Sequence, residues 1–165
     1  VVLDQWTKYL TVANISLYSR VPFWRGVFHF TYVKNTGMAF GMLKDHRWVF
    51  MVFSTIAIVA LIVYLFRFRP QSRWLQISMA FIIGGGIGNM IDRVRLGYVV
   101  DFFCTEFVDF AIFNVADCFI TVGAVVLGVY IVFFEPKIEK RLRAEKAALE
   151  KARSEQPIED NAENG

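Results

Sequence analysis

Residues Trp48–Phe66, WVFMVFSTIAIVALIVYLF, contain no charged side chain. As a helix rising about 1.5 Å per residue, this run reaches about 28 Å, enough to cross the hydrocarbon layer of a bilayer. It predicts a transmembrane helix. Composition points the same way: of 165 residues 56% are hydrophobic and 17 are Phe, too many aromatic rings for one small aqueous core.

Two further spans are expected, one from Trp74 to about Ile91 and one from about Asn114 to Phe134, the latter broken by charge only at Asp117. Val1 to about Ala13 is shorter and carries Asp4 and Lys8, and reads as the remaining end of a truncated first span. No basic segment precedes an apolar stretch, so no cleavable signal peptide is expected. Arg67, Arg69 and Arg73 lie between the second and third spans, and Lys137, Lys140, Arg141 and Arg143 follow the fourth. By the positive-inside bias both regions, and both termini, are cytoplasmic. Segments 15–47 and 93–113 then face outward, although Arg20, Arg25 and Arg47 make the bias incomplete. The net charge of +3 is modest and clustered, which argues for orientation in a membrane and against nucleic acid.

The outer segment alternates through Val27–Val33, with Phe28, Phe30 and Tyr32 expected on one side of a strand. Asn35-Thr36-Gly37 supplies a turn and Met38–Gly41 continues apolar, so a small surface sheet, an outer β-cradle over about 22–45, is predicted. His29 reads as a surface residue on its other face. Lys137–Arg153 favours a solvated helix and 156–165 a disordered tail, giving a membrane domain over 1–134 and a charged tail over 135–165. Cys104 and Cys118 form neither a disulfide framework nor a zinc site, and no metal or cofactor is expected.

Charge inside a span costs roughly 2.5 kcal/mol or more, so intramembrane carboxylates are candidate functional groups. Asn114 and Asp117 share a helix face at the outer start of the last span; Asn89 and Asp92 repeat that spacing at the outer end of the third, with Arg93 next. Asp101 follows eight residues later. Two carboxyls in reach of each other share a proton: the charged one can activate water and the protonated one can donate to a carbonyl oxygen. No GxSxG, HExxH or Ser/Lys frame competes with that chemistry. The residues alone leave Asp92, Asp101, Glu106, Asp109 and Asp117 open. Asp92 beside Arg93 also reads as an ion pair pinning a helix end, Asp4 with Lys8 as an intrahelical pair, and Glu106 and Asp109 as solvated loop acids. Glycines 84, 85, 86 and 88 suit close approach of another helix or of a substrate. A transporter using these acids as a relay is the rival class, but the polar groups cluster at one depth and the second span is bare.

Five motifs carry a resemblance. Asp4-Gln5-Trp6-Thr7-Lys8, Asn35-Thr36-Gly37-Met38-Ala39-Phe40-Gly41, Gly85-Gly86-Ile87-Gly88-Asn89-Met90-Ile91-Asp92-Arg93, Gly97-Tyr98-Val99-Val100-Asp101-Phe102 and Phe113-Asn114-Val115-Ala116-Asp117 resemble, in order, the signature segments of the signal peptidase II family. The resemblance implies a four-helix transmembrane bundle with a small extracytoplasmic β-sheet cradle and a short outer loop or helix, set in the bacterial cytoplasmic (inner) membrane. It implies an aspartic endopeptidase with Asp101 and Asp117 as catalytic dyad and Asn114 holding it. Asn35, Gly37, Asn89, Asp92 and Arg93 would line or brace the substrate pocket, and Asp4 and Lys8 would support it. The implied substrate is a diacylglyceryl-modified prolipoprotein cut just before its lipidated cysteine. Membrane lipids would surround a monomer, and globomycin would inhibit it.

Overall fold

The computed structural model describes residues 1–37, 47–134, 144 and 146–148, apart from the side chains of Arg47 and Phe50. Met38–Gly41 and nearly all of the expected charged tail lie outside these residues. Gly128–Gly165 forms a second compact unit, in which the end of α4 and helical backbone at 144 and 146–148 are described. The contacts below all belong to the first unit, Val1–Leu127.

Helix α1 spans Val2–Asn14 and buries Asp4, Lys8 and Thr11, one polar stripe at helical spacing, while Val2, Trp6 and Tyr9 point outward. In water such a helix would be inside out. Against lipid it is correctly dressed, because its charges reach protein partners and its apolar face meets hydrocarbon. The same inversion runs through the molecule: among the described residues, buried polar and charged side chains outnumber buried apolar ones.

Strands β1 (Arg20–Trp24) and β2 (Phe28–Asn35) form a hairpin whose turn holds Gly26 at φ 75°, a left-handed position suited to glycine. Helices α2 (Arg47–Phe68) and α3 (Arg73–Arg95) follow, then strand β3 (Val99–Thr105) and helix α4 (Val115–Phe133). Among the described residues α2, α3 and α4 are long and apolar enough to cross a membrane. They match the three expected spans, with α3 running one turn beyond Ile91 because Asp92 is satisfied by protein rather than facing lipid. The 13-residue α1 is too short to cross a bilayer by itself.

The sheet is antiparallel in the order β1-β2-β3, so its third strand comes from beyond α3 rather than from the outer segment alone. Sequence alternation places Phe28, Phe30 and Tyr32 together, and the register corrects this. Phe28 and Phe30 pair with Thr105 and Phe103, then a shift occurs before Val33 and Asn35 pair with Asp101 and Val99. One extra residue flips every later side chain to the opposite face. Tyr32 therefore turns away from the Phe23, Phe28, Phe30 and Phe103 cluster and packs with Val100 and Phe102. The same shift puts Asn35 on the face of Asp101.

Glycine sets the spacing between spans. A Cβ on Gly85 would lie 2.5 Å from the Ala116 carbonyl oxygen of α4, and one on Gly88 would lie 2.5 Å from an Asp4 oxygen of α1. Helix packing thus accounts for both, whereas Gly84 faces open space. Residues 106–113 form a loop that returns to β3, where Phe113 exchanges backbone hydrogen bonds with Phe103 at 2.8 and 3.1 Å and delivers the chain to α4.

Candidate active site

Asn114 caps α4. Its side-chain oxygen accepts the Asp117 backbone N–H at 3.1 Å, and Asp117 Oδ2 accepts the Asn114 backbone N–H, also at 3.1 Å. This reciprocal capping box explains the three-residue spacing in physical terms: it satisfies two otherwise orphaned donors and fixes the Asp117 carboxyl at the helix start. Asp117 Oδ1 accepts from Asn89 Nδ2 at 2.8 Å, which ties it to α3.

Asp101 arrives from β3, only 2% exposed. Its Oδ1 accepts from Asn114 Nδ2 at 2.6 Å and its Oδ2 from Asn35 Nδ2 at 2.7 Å. Asn35 cannot turn over without loss, because its own oxygen accepts the Gly37 backbone N–H at 2.9 Å. Burial is the largest influence on the Asp101 carboxyl and pushes it up to about 7; the Asn35 hydrogen bond opposes this and the charge of Asp117 adds to it. Asp101 and Asp117 line one cavity of about 630 Å³ together with Asn35, Gly37, Asn89 and Arg93. An apolar wall of Phe110, Ile112, Phe113 and Ile120 faces these polar groups.

The other buried acids are sorted away from that cavity. Lys8 Nζ lies 3.0 Å from Asp4 and 2.9 Å from Asp92, all three side chains being at most 4% exposed. Asp4 also accepts the Ala116 backbone N–H at 3.0 Å, and Asp92 accepts that of Val100 at 3.1 Å. The expected i,i+4 pair of Asp4 and Lys8 is therefore present, but within a larger knot joining α1, α3, β3 and α4. For Asp92 the sequence suggests pairing with adjacent Arg93; Asp92 also ion-pairs with Lys8 across helices, while its charge acts on Arg93. Arg93 lines the cavity and donates to the Asn89 carbonyl oxygen at 3.4 Å. Among the described residues no group of acids, His and Cys is placed to hold a metal ion.

Glu106 departs from the solvated reading. It accepts from Arg20, from the Gly26 backbone N–H at 2.9 Å, and lies 3.0 Å from His29 Nδ1, so it ties the hairpin to the loop after β3. The Arg20 hydrogen bond chiefly lowers its carboxyl below the ordinary glutamate range. His29 is thereby a structural partner rather than a bare surface residue. Two contributors escaped sequence reasoning. Gln5 Nε2 reaches Asp92 at 2.9 Å and the Gly88 carbonyl at 3.1 Å, and Ser54 of the apolar α2 lines the cavity. Gln5 sits one position after Asp4 inside a noted motif, which is its one visible signal. Nothing in the run around Ser54 marks it.

The model of the signal peptidase II family matches residues 1–133. The lipoprotein signal peptidase of Streptococcus thermophilus is 49% identical over 125 residues, covering 76% of this chain and 82% of that protein. The lipoprotein signal peptidase of Enterococcus faecalis is 44% identical over 133 residues, covering 81% and 83%. Two solved structures of bacterial membrane enzymes, obtained by the in meso method at 2.3 and 1.9 Å resolution, superpose with TM-scores of 0.76 and 0.74. Each is 28% identical to this chain; the alignments cover 79% and 81% of it, and 81% and 87% of the solved chains. On a family match that takes in all the described spans and every residue of the site, the chain belongs to the signal peptidase II family.

Proposed function

We propose that Asp101 and Asp117 are the catalytic dyad of a membrane endopeptidase whose site opens near the outer face. The family makes this an aspartic-type peptidase that removes signal peptides from prolipoproteins. One observation carries the assignment to these two residues. Asp4 and Asp92, both buried, are held by the Lys8 ammonium and do not line the cavity, whereas the buried Asp101 and the partly buried Asp117 are held by amides and line it.

The chemistry follows from a shared proton. The ionised carboxyl takes a proton from water as the water oxygen bonds to the scissile carbonyl carbon, and its partner gives a proton to the carbonyl oxygen. Collapse of the resulting diol breaks the C–N bond, and the leaving nitrogen takes a proton back from the dyad. Asn35, Asn89 and Asn114 hold the dyad's orientation, with Gly37 and Arg93 at the substrate. The diacylglyceryl chains stay in lipid while the peptide just before the modified cysteine enters the cavity against the Phe110–Phe113 wall. Four spans, cytoplasmic termini in the bacterial inner membrane, a monomeric state and inhibition by globomycin complete this reading. Residues 1–134 form the peptidase domain and 135–165 a charged tail dispensable for cleavage.

Purified protein incubated with a diacylated and a non-lipidated prolipoprotein provides the test. The diacylated form alone is shortened, and Asp101→Asn and Asp117→Asn both abolish or severely slow the conversion. Normal processing by either variant removes that residue from the dyad.

A further inference from the structure

The two carboxyls of the site are held in unlike ways. Asp117 stands in the first turn of α4, where one oxygen accepts a backbone N–H of the capping box and the positive end of the helix dipole is closest. Its other oxygen accepts from Asn89, and Asn89 is polarised in turn: its side-chain oxygen accepts from Lys8 Nζ at 2.9 Å and from Asn114 Nδ2 at 3.1 Å. Lysine can only donate, so it fixes which end of the Asn89 amide faces Asp117. Asp101, on a strand, accepts from the side-chain amides of Asn35 and Asn114.

Resting on the dyad reading above, we propose that Lys8 acts through Asn89 as a positioning residue that makes Asp117 the ionised base and leaves the shared proton on Asp101. The amide is a relay: it presents an N–H to Asp117 because an ammonium holds its oxygen. Lys8 on α1 and Arg93 on α3 act on both Asp117 and Asp101, and Asp4 and Asp92 spend their charge on Lys8, so the two carboxyls are told apart by their hydrogen bonds and not by the cations around them. Cys118, next along α4, is a further titratable neighbour. Independently, burial keeps the Asp101 carboxyl protonated up to about pH 7. Water is then activated on the α4 side, and the carbonyl oxygen accepts its proton from the β3 side.

The test is the pH dependence of prolipoprotein cleavage by wild type, Lys8→Met, Lys8→Arg and Asn89→Ala, with Asp101→Asn and Asp117→Asn beside them. Lys8→Met and Asn89→Ala should each lower kcat about tenfold or more with little change in KM, and move the acid limb of the profile toward neutrality. Lys8→Arg, which keeps a charged donor, should restore the limb. Asn89→Ala leaves the ion pairs of Lys8 intact, so it answers the question even if Lys8→Met fails to fold. Asp101→Asn should keep residual activity without an alkaline limb, and Asp117→Asn should fall to background, about 10³-fold or more below wild type. A fall in rate with an unmoved acid limb reduces Lys8 to structural support and overturns the relay; residual activity in Asp117→Asn but not in Asp101→Asn overturns the assignment of roles. Full activity in either aspartate variant sinks the dyad itself, a separate outcome.

Discussion

Asp4 and Asp101 are about equally inaccessible, at 1% and 2% exposure, yet Asp4 meets an ammonium and Asp101 meets amides. An ammonium neutralises a buried carboxylate, while amides orient it and leave its protonation adjustable. That contrast yields a stability prediction. Because the folded Asp101 carboxyl is raised to about 7 from an ordinary 3.8, its contribution favours the folded state fully below about pH 4 and is lost as pH climbs through about 7. The ceiling is about 4 kcal/mol. Thermal unfolding in detergent should therefore give a lower Tm at about pH 8 than at about pH 5, and Asp101→Asn should remove most of that difference. An unchanged pH slope in the variant would assign the dependence to another group. The one-turn spacing of Asn114 and Asp117 was readable in the sequence, but the choice of Asp101 and Asp117 among five open acids came from the family motifs and not from the residues alone. Their separation from Asp92 was not readable, since it depends on Lys8 crossing from a helix 84 positions away in the chain.

Regular elements were legible to within a turn wherever apolar length decided them, as in α2 and α4. The sheet was legible only in part. The run Val99-Val100-Asp101-Phe102-Phe103 has strand-forming residues, but no glycine or proline announces the register shift in β2, and alternation alone misassigns Tyr32. That shift is what lets one strand present aromatic rings at its start and Asn35 to Asp101 at its end. The glycines of α3 separate packing from propensity. Gly85→Ala drives a methyl against the Ala116 carbonyl, which is backbone and cannot swing aside, so α3 and α4 must part; a loss of about 1–3 kcal/mol and reduced cleavage are expected. Gly84→Ala meets nothing within 4 Å and should keep activity while gaining up to about 1 kcal/mol from helix propensity. Paired melting curves of the two variants measure this. Equal losses in both would mean that the gap between α3 and α4 is not what Gly85 provides.

The buried polar knot and the lipid-facing apolar surface fix what solvent the first unit needs, but not which way it faces. Arg67 lies in the last turn of α2, Arg69 just follows it and Arg73 opens α3, which puts three cations about one short connection. At the other end of α3 lie Arg93 and Arg95, and the hairpin adds Arg20 and Arg25, so a simple count of basic residues is divided. The two sets differ in their partners. Arg20 is joined to Glu106, and Arg93 lies among the acids of the cavity, so part of that charge is spent locally. For Arg67, Arg69 and Arg73 no carboxylate partner occurs among the described residues, leaving their charge to act on topology. On that basis the proposed orientation puts the connection between α2 and α3 in the cytoplasm and the sheet, the loop 106–113 and the Asp101–Asp117 cavity outside. In a variant with Cys104 and Cys118 replaced by Ser, a single cysteine at Asp109 should be labelled in intact cells by a membrane-impermeant maleimide. A single cysteine at Gln71 should be labelled only after permeabilisation. The reverse pattern would place the cavity on the cytoplasmic side, where it could not meet a signal peptide emerging at the outer surface.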